Sequence, residues 1–318
     1  MASASTSVAA ALTALSGSDF LSSADVSAEQ TAALLQLAIQ LKNGERRIDL
    51  GNRVLGLIFT KASTRTRVSF QVAMARLGGQ TVDLNPQVTQ LGRGEPLEDT
   101  ARVLSRFCDV LAIRTFAQQE LADYAHWASI PVINALTDLE HPCQALADFL
   151  TMQEVFGDLQ GQTLAYVGDG NNVAHSLMLC GALLGVNVRI GCPEGFEPLP
   201  GVVDQARALS VGGAQISVIT DPVEAVRGAQ ALYTDVWASM GQEQEQAERE
   251  RAFQGFCLNE DLLAEADSRA IVLHCLPAHR GEEISAGVME GPSSRIFDQA
   301  ENRLHAQQAL LAAVLGGL

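Results

Sequence analysis

The chain has 318 residues, 47% of them hydrophobic and 18% charged, with a formal net charge of -16. That length supplies about two ordinary domains of roughly 100–200 residues. So acidic a balance excludes a broad nucleic-acid or anionic-membrane face, so any bound anion is small and locally held. The six cysteines (Cys108, Cys143, Cys180, Cys192, Cys257 and Cys275) are scattered without a C-x-x-C pair. No apolar run approaches the ~20 residues of a membrane helix, and no secretory signal opens the chain. Free thiols and a cytoplasmic location are the expectation.

In chain order, MASASTSVAAALTALSGS reads as a frayed Ala/Ser leader that joins the first helix. Beyond it, short β-branched runs alternate with longer helical patterns, the pattern of an α/β protein with parallel sheets. The expected strands are RVLGLIF, QTVDL, DVLAIR, PVINA, TLAYVG, NVRIG, QISVIT, ALYTDV and AIVLHC. After the first of them, TRVSFQVAMARLGG predicts a helix with Val68, Ala75 and Leu77 near one face and a glycine stop at Gly78. QVTQLGRGEP is a long polar connection with the composition of a lid. The strand-to-helix rhythm restarts at GQTLAYVGDGNN after the helix HPCQALADFLTMQEVFG. The expected architecture is therefore two doubly wound parallel-sheet domains, 1–156 and 157–300, facing each other across a cleft. The final helix, within 301–318, packs back on the first domain.

Polar clusters recur where the expected strands end, which is where ligands collect in open parallel sheets. FTKASTRTR (Phe59–Arg67) places three cations and four hydroxyls in one short stretch directly after a buried strand. Ser63 or Thr64 suits the N-cap of the next helix, and Arg65 adds a planar fork; with Thr66 these residues match a phosphate. The ordinary alternative is an N-cap with solvated arginines. GDGNNVA begins like a dinucleotide fingerprint but carries Val173 where the third glycine belongs. Asn171 and Asn172 there either hold a carboxylate or cap a helix. In EHPCQ, His141 and Gln144 share a helix face, and His141 is either an ordinary satisfied packing residue or, together with Arg114, a group that polarises a carbonyl oxygen. In DVWASMG, Asp235 and Ser239 either form an acceptor pair for an ammonium, with a backbone N–H near Met240 for an anion, or belong to a capped turn. Cys275 in HCLPAHR is open to three roles: nucleophile, metal ligand or proton relay. No zinc-like ligand spacing surrounds it, and no metal is expected.

With these pieces in order, the chain resembles the ornithine carbamoyltransferases over roughly Asp19 to Leu310. The family's signatures FxKxSTRTR, HPxQ, DxxxSMG and HCLP stand here as Phe59–Arg67, His141–Gln144, Asp235–Gly241 and His274–Pro277. The first two are shared with aspartate carbamoyltransferases; SMG and HCLP point to ornithine. The resemblance implies that 1–156 binds carbamoyl phosphate and 157–300 binds L-ornithine. Ser63, Thr64, Arg65 and Thr66 would grip the phosphate, and Arg114 would reach phosphate and carbonyl. His141 would donate to the carbonyl oxygen. Gln144, the Cys275–Leu276 backbone and Arg303 would orient the carbamoyl amide, with Lys61 and Arg67 left to structure and field. Asn172 and Met240 would take the ornithine carboxylate, and Asp235 and Ser239 its α-amino group. Asp235 with Cys275 would remove the side-chain amine's proton. The family also implies a homotrimer, an active site near a subunit boundary and no cofactor. Two departures stand out: Gln71 where many relatives carry Glu, and Gln90 in the lid where some carry His. The competing readings are a carbamoyltransferase for N-acetylornithine, a non-catalytic small-anion scaffold and a nicotinamide dehydrogenase.

Overall fold

The computed structural model describes residues 2–85, 94–238 and 246–318, with side chains from Val8 onward except that of Gln246. The chain divides into two compact units, Met1–Leu150 with Glu301–Leu318, and Thr151–Ala300. In the first unit β1 (Val54–Phe59), β2 (Gln80–Leu84), β3 (Val110–Arg114) and β4 (Val132–Leu136) form a four-stranded sheet in the order β2-β1-β3-β4. In the second, β5 (Thr163–Val167), β6 (Asn187–Gly191), β7 (Ile216–Ile219), β8 (Ala231–Thr234) and β9 (Ile271–His274) follow the order β7-β6-β5-β8-β9. Every pairing is parallel.

These are the apolar runs expected from the sequence. A parallel strand covered on both faces has no polar side, so it reads as a continuous hydrophobic segment. β3, β4, β5, β8 and β9 are buried throughout, and β1 from Leu55 onward. β2 is largely exposed, and β7 is buried at Ile216 and half-buried from Ser217 to Ile219. Ile58, Leu111, Ile113 and Val132 pack together under the first sheet, and Val167, Leu232, Phe253 and Val272 under the second.

The strand order reverses once in each sheet, between β1 and β3 and between β5 and β8. Such a switch point leaves a crevice outside the strands' carboxyl ends, because the connections leave it in opposite directions. The FTKASTRTR stretch follows β1 and Arg114 ends β3; GDGNN follows β5 and Asp235 follows β8. The polar clusters therefore fall at the two switch points.

Two local expectations are corrected. The Ala/Ser leader is an ordered helix of its own, Ala2–Thr13, and does not merge with helix Ala28–Lys42, which a Ser27–Gln30 capping box starts afresh. Val8, Leu12 and Leu15 are buried, and Gly17 N–H donates to the Val314 carbonyl at 2.8 Å. Helix Thr64–Arg76 buries Thr66, Phe70, Ala73 and Met74, with Leu77 at its C-cap; Val68 is half exposed and Ala75 is exposed. Phe70 sets the inward face because it is the largest apolar side chain available, and Val68, two residues earlier, points about 200° away from it. The predicted stop is present, with Gly78 at φ 77°.

Phe70→Ala is expected to lower unfolding free energy by about 3–5 kcal/mol, whereas Val68→Ala in the isolated chain changes it by under about 0.5 kcal/mol. Urea unfolding of both variants checks the reassigned face.

Candidate active site

In the first unit the loop after β1 leads into helix Thr64–Arg76, whose N-cap residue is Ser63. Ser63 thus holds the expected cap position, but its hydroxyl makes no cap hydrogen bond, so the first-turn N–H groups are not consumed by that side chain. Thr64 and Arg65 are exposed, whereas Thr66 is buried and its hydroxyl accepts from Arg303 Nη2. Arg303 comes from the terminal helix Ile296–Val314 and is itself buried. Arg114 ends β3, where the pairing with β4 slips by one residue between Ile113 and Arg114. Such an irregularity re-aims the side chain at a strand's end. The Arg114 carbonyl accepts from Thr60 N–H at 2.9 Å, fixing the start of the loop after β1 to the end of β3.

Lys61 and Arg67, assigned to structure from the sequence, have carboxylate partners. Lys61 pairs with Asp138 at 2.5 Å and lies 4.0 Å from the centre of the Phe116 ring. Arg67 pairs with Asp83 of β2 and lies over Phe59. Asp83 thus supplies a carboxylate to Arg67 in the first turn of helix Thr64–Arg76.

His141 is buried immediately before helix Pro142–Phe156. Its pKa is held well below the ordinary 6.5, first by desolvation and then by Arg303, Arg114 and Arg65. Both causes disfavour the imidazolium, so the ring is a neutral hydrogen-bonding group within a cationic field. Gln144, one turn along, is buried; its Nε2 donates to Asp148 Oδ1 at 2.7 Å, and its Oε1 has no hydrogen-bond partner among the described residues.

In the second unit Asp235 follows β8 and is buried. Its Oδ1 accepts from the Val236 N–H at 2.8 Å and from the Cys275 thiol at 2.9 Å, while Oδ2 accepts from Asn171 Nδ2 at 2.9 Å. Asn171 is the N-cap of helix Asn172–Leu183 and accepts from Val173 and Ala174 N–H groups; Asn172 is that helix's first residue. Thus Asn171 both caps the helix and links it to Asp235, two jobs that the sequence left undivided. Gly170 has a packing reason: a Cβ there would meet Pro198 N at 2.2 Å and Glu197 C at 2.4 Å. Ser239, Met240, Gly241 and the central part of the expected lid, including Gln90, lie outside the described residues.

Leu276, with φ 63°, follows Cys275 in a conformation that costs a branched L residue about 1–3 kcal/mol unless its surroundings impose it. They do: Leu276 N–H donates to His274 Nδ1 at 2.9 Å, and His274 Nε2 faces Glu283 Oε1 at 3.1 Å. Because a backbone N–H can only donate, Nδ1 is the acceptor and Nε2 carries the proton toward Glu283. Asp235, His274 and Cys275 bring ligand-type atoms within 4.8 Å of one another, as do His279, Glu282 and Glu283. Both ring nitrogens of His274 are already engaged, so metal ligation by it requires giving up one of these bonds. The buried pair Arg249–Asp169, 2.8 Å apart, also escaped sequence reading, as did His274–Glu283.

One unit thus gathers arginines and hydroxyls around a neutral histidine, and the other joins a carboxylate to a thiol at a strand end. These are the parts of an α/β group-transfer protein with an anion site. Residues 18–154 match the family model described as the carbamoyl-P binding domain of aspartate/ornithine carbamoyltransferase. Residues 160–314 match its Asp/Orn binding domain. The chain belongs to the aspartate/ornithine carbamoyltransferase family. It is 85% identical over 311 residues, 98% of each chain, to an ornithine carbamoyltransferase of Prochlorococcus marinus (strain MIT 9313). It is 82% identical over the full length of both chains to that of Parasynechococcus marenigrum (strain WH8102). The crystal structure of ornithine carbamoyltransferase from Gloeobacter violaceus is similar with a TM-score of 0.86 at 57% identity, covering 93% of this chain and 98% of that one. The ornithine carbamoyltransferase from Pyrococcus furiosus is similar with a TM-score of 0.91 at 49% identity, covering 96% and 99%.

The depressed His141 pKa has a stability consequence with a definite sign. The unfolded chain binds a proton at the ordinary 6.5 and the folded chain resists it, so this contribution is full above 6.5 and is lost as pH falls toward the folded value. Between about pH 7.5 and about pH 5.5 the thermal midpoint is expected to drop more for the wild type than for His141→Asn. Equal drops in the two melting series would contradict the neutral, desolvated ring.

Proposed function

We propose that this chain transfers the carbamoyl group of carbamoyl phosphate to the side-chain amine of L-ornithine, giving L-citrulline and phosphate. The observation that carries the reading is the convergence of Arg65, Arg114 and Arg303 on a buried, neutral His141 in the unit matching a carbamoyl-P binding domain. Cations gathered near a neutral donor suit a dianionic leaving group beside a carbonyl that must become an oxyanion. The names of the close relatives support ornithine as acceptor.

In this reading Ser63, Thr64, Arg65 and Thr66 hold the phosphate, and Arg114 spans phosphate and carbonyl oxygen. His141 donates an N–H to that oxygen. Gln144, the Cys275–Leu276 backbone and Arg303 orient the carbamoyl amide. On the amino-acid side, Asn172 and the Met240 backbone take the carboxylate, and Asp235 and Ser239 take the α-ammonium. An ornithine ammonium has no lone pair, so it must lose a proton before attack. Asp235, coupled to the Cys275 thiol at 2.9 Å, supports a role for this pair in that loss. The amine nitrogen then bonds to the carbonyl carbon, negative charge gathers on the oxygen, and the carbon–oxygen bond to phosphate breaks. The second amine proton leaves with the phosphate. Each step is polar, and the chemistry calls for neither metal nor redox cofactor.

We further assign the product to arginine synthesis, the chain to the cytoplasm and the assembly to a homotrimer. No helix among the described residues is long and apolar enough to cross a membrane. Exposed Val68 and Val72, one turn apart on the first unit, support burial against another copy.

Purified protein is expected to form citrulline from ornithine and carbamoyl phosphate, and far less product from N-acetylornithine, whose neutral amide gives Asp235 no charge to hold. Arg65→Ala should keep the melting curve and lose about 10²–10³-fold in kcat. Absence of citrulline at saturating substrates would overturn the reading.

A further inference from the structure

Gln144 and Asp148 stand one turn apart on helix Pro142–Phe156, the spacing at which side chains on a helix meet. Both are buried, and the contact between them has a polarity. A carboxylate only accepts hydrogen bonds, so the group that Gln144 turns to Asp148 Oδ1, 2.7 Å away, is its NH2. An amide's two ends are otherwise interchangeable in shape, and only their partners decide which points where. With the NH2 taken, the carbonyl Oε1 is the end left over. It is shielded from solvent and accepts no hydrogen bond from any described residue. A buried acceptor left in that state calls for a donor. Gln144 also lies next to His141, its N–H bonding the His141 carbonyl at 3.0 Å, and so belongs to the region where Arg65, Arg114 and Arg303 act.

We propose that Asp148 is a positioning residue that locks Gln144 as a hydrogen-bond acceptor, and that this lock makes the site select an acyl phosphate bearing N–H donors over one bearing a methyl group. The inference rests on the proposed function, in which Gln144 meets the carbamoyl amide, and adds the reason that the amide is preferred. Carbamoyl phosphate and acetyl phosphate share the phosphate, the carbonyl and nearly the same volume; they differ in NH2 against CH3. A neutral glutamine free to turn would offer the methyl compound a comparable surface. A glutamine held with its oxygen forward rewards only the N–H, and leaves that oxygen buried and unsatisfied against the methyl.

The test measures binding of carbamoyl phosphate and of acetyl phosphate to the full-length protein by calorimetry, with citrulline formation followed in parallel. In Asp148→Asn the new side chain offers a donor as well as an acceptor, so Gln144 is no longer locked. The ratio of the two dissociation constants is expected to shrink about tenfold or more, through weaker carbamoyl phosphate binding, with acetyl phosphate little changed. The melting midpoint should stay within about 4 °C. In a Gln144→Ala background, which lacks the amide, adding Asp148→Asn should leave the ratio where it was. Asp148→Ser, which also can donate, replaces the asparagine variant if that fails to fold. Equal weakening of both ligands, or a further fall of the ratio in the Gln144→Ala background, overturns the inference. Wild-type protein that binds carbamoyl phosphate yet forms no citrulline overturns the proposed function while the ratio still decides this one; wild type that binds neither ligand overturns both.

Discussion

Positive charge held away from water is the constraint around which the first unit is organised. Arg114 and Arg303 are both buried, close enough to His141 to suppress its protonation. A buried guanidinium is costly unless its N–H groups find partners and its carbon stem is packed. The fold brings the charged groups into place from several directions. β3 delivers Arg114 through a slip in register, and the terminal helix delivers Arg303 to the Thr66 hydroxyl. Asp83 and Asp138 draw the outlying cations Arg67 and Lys61 to themselves. What results is a cationic region whose one titratable ring stays neutral, suited to holding an anion without donating a full proton to it.

The second unit meets a different demand, the precise placement of a strand-end carboxylate. Asp235 receives one hydrogen bond from the Val236 N–H, one from Asn171 and one from Cys275, so its oxygens are fixed from three sides. The segment behind Cys275 is tied down through a histidine whose two nitrogens are both committed. The left-handed Leu276 persists because this network over-determines it. Asp169 and Arg249 perform a similar service on the other side, joining the turn after β5 to helix Gln246–Ala252.

The strands and the switch-point clusters were legible in the sequence because a doubly covered parallel strand leaves an unbroken apolar run that ends abruptly in polar residues. Helix faces were less so: TRVSFQVAMAR has apolar residues on both sides, and only the packing around Phe70 decides between them. Ser63 stands at the N-cap as its residue type suggested, but its hydroxyl makes no cap hydrogen bond, a detail that residue type alone does not fix. Phosphate-type residues close together in sequence, from Ser63 to Thr66, were readable as a set. Partners far apart were not: nothing in residues 60–70 announces that Thr66 waits for a guanidinium 237 positions later. Nor does an aspartate on a largely apolar helix announce that it fixes a neighbouring amide. Arg303 itself came from resemblance, not from local pattern.

The first unit is built from two stretches, Met1–Leu150 and Glu301–Leu318, with the whole of the second unit between them in sequence. During synthesis the amino-terminal sheet therefore emerges from the ribosome well before the segment that pairs with Thr66 and receives Gly17. The second unit, Thr151–Ala300, has all of its residues in hand first. Completion of the earlier-made unit must wait until the residues beyond Ala300 have been made, and a chain cut short at Ala300 keeps its later-made unit whole while leaving the older one without its last guanidinium.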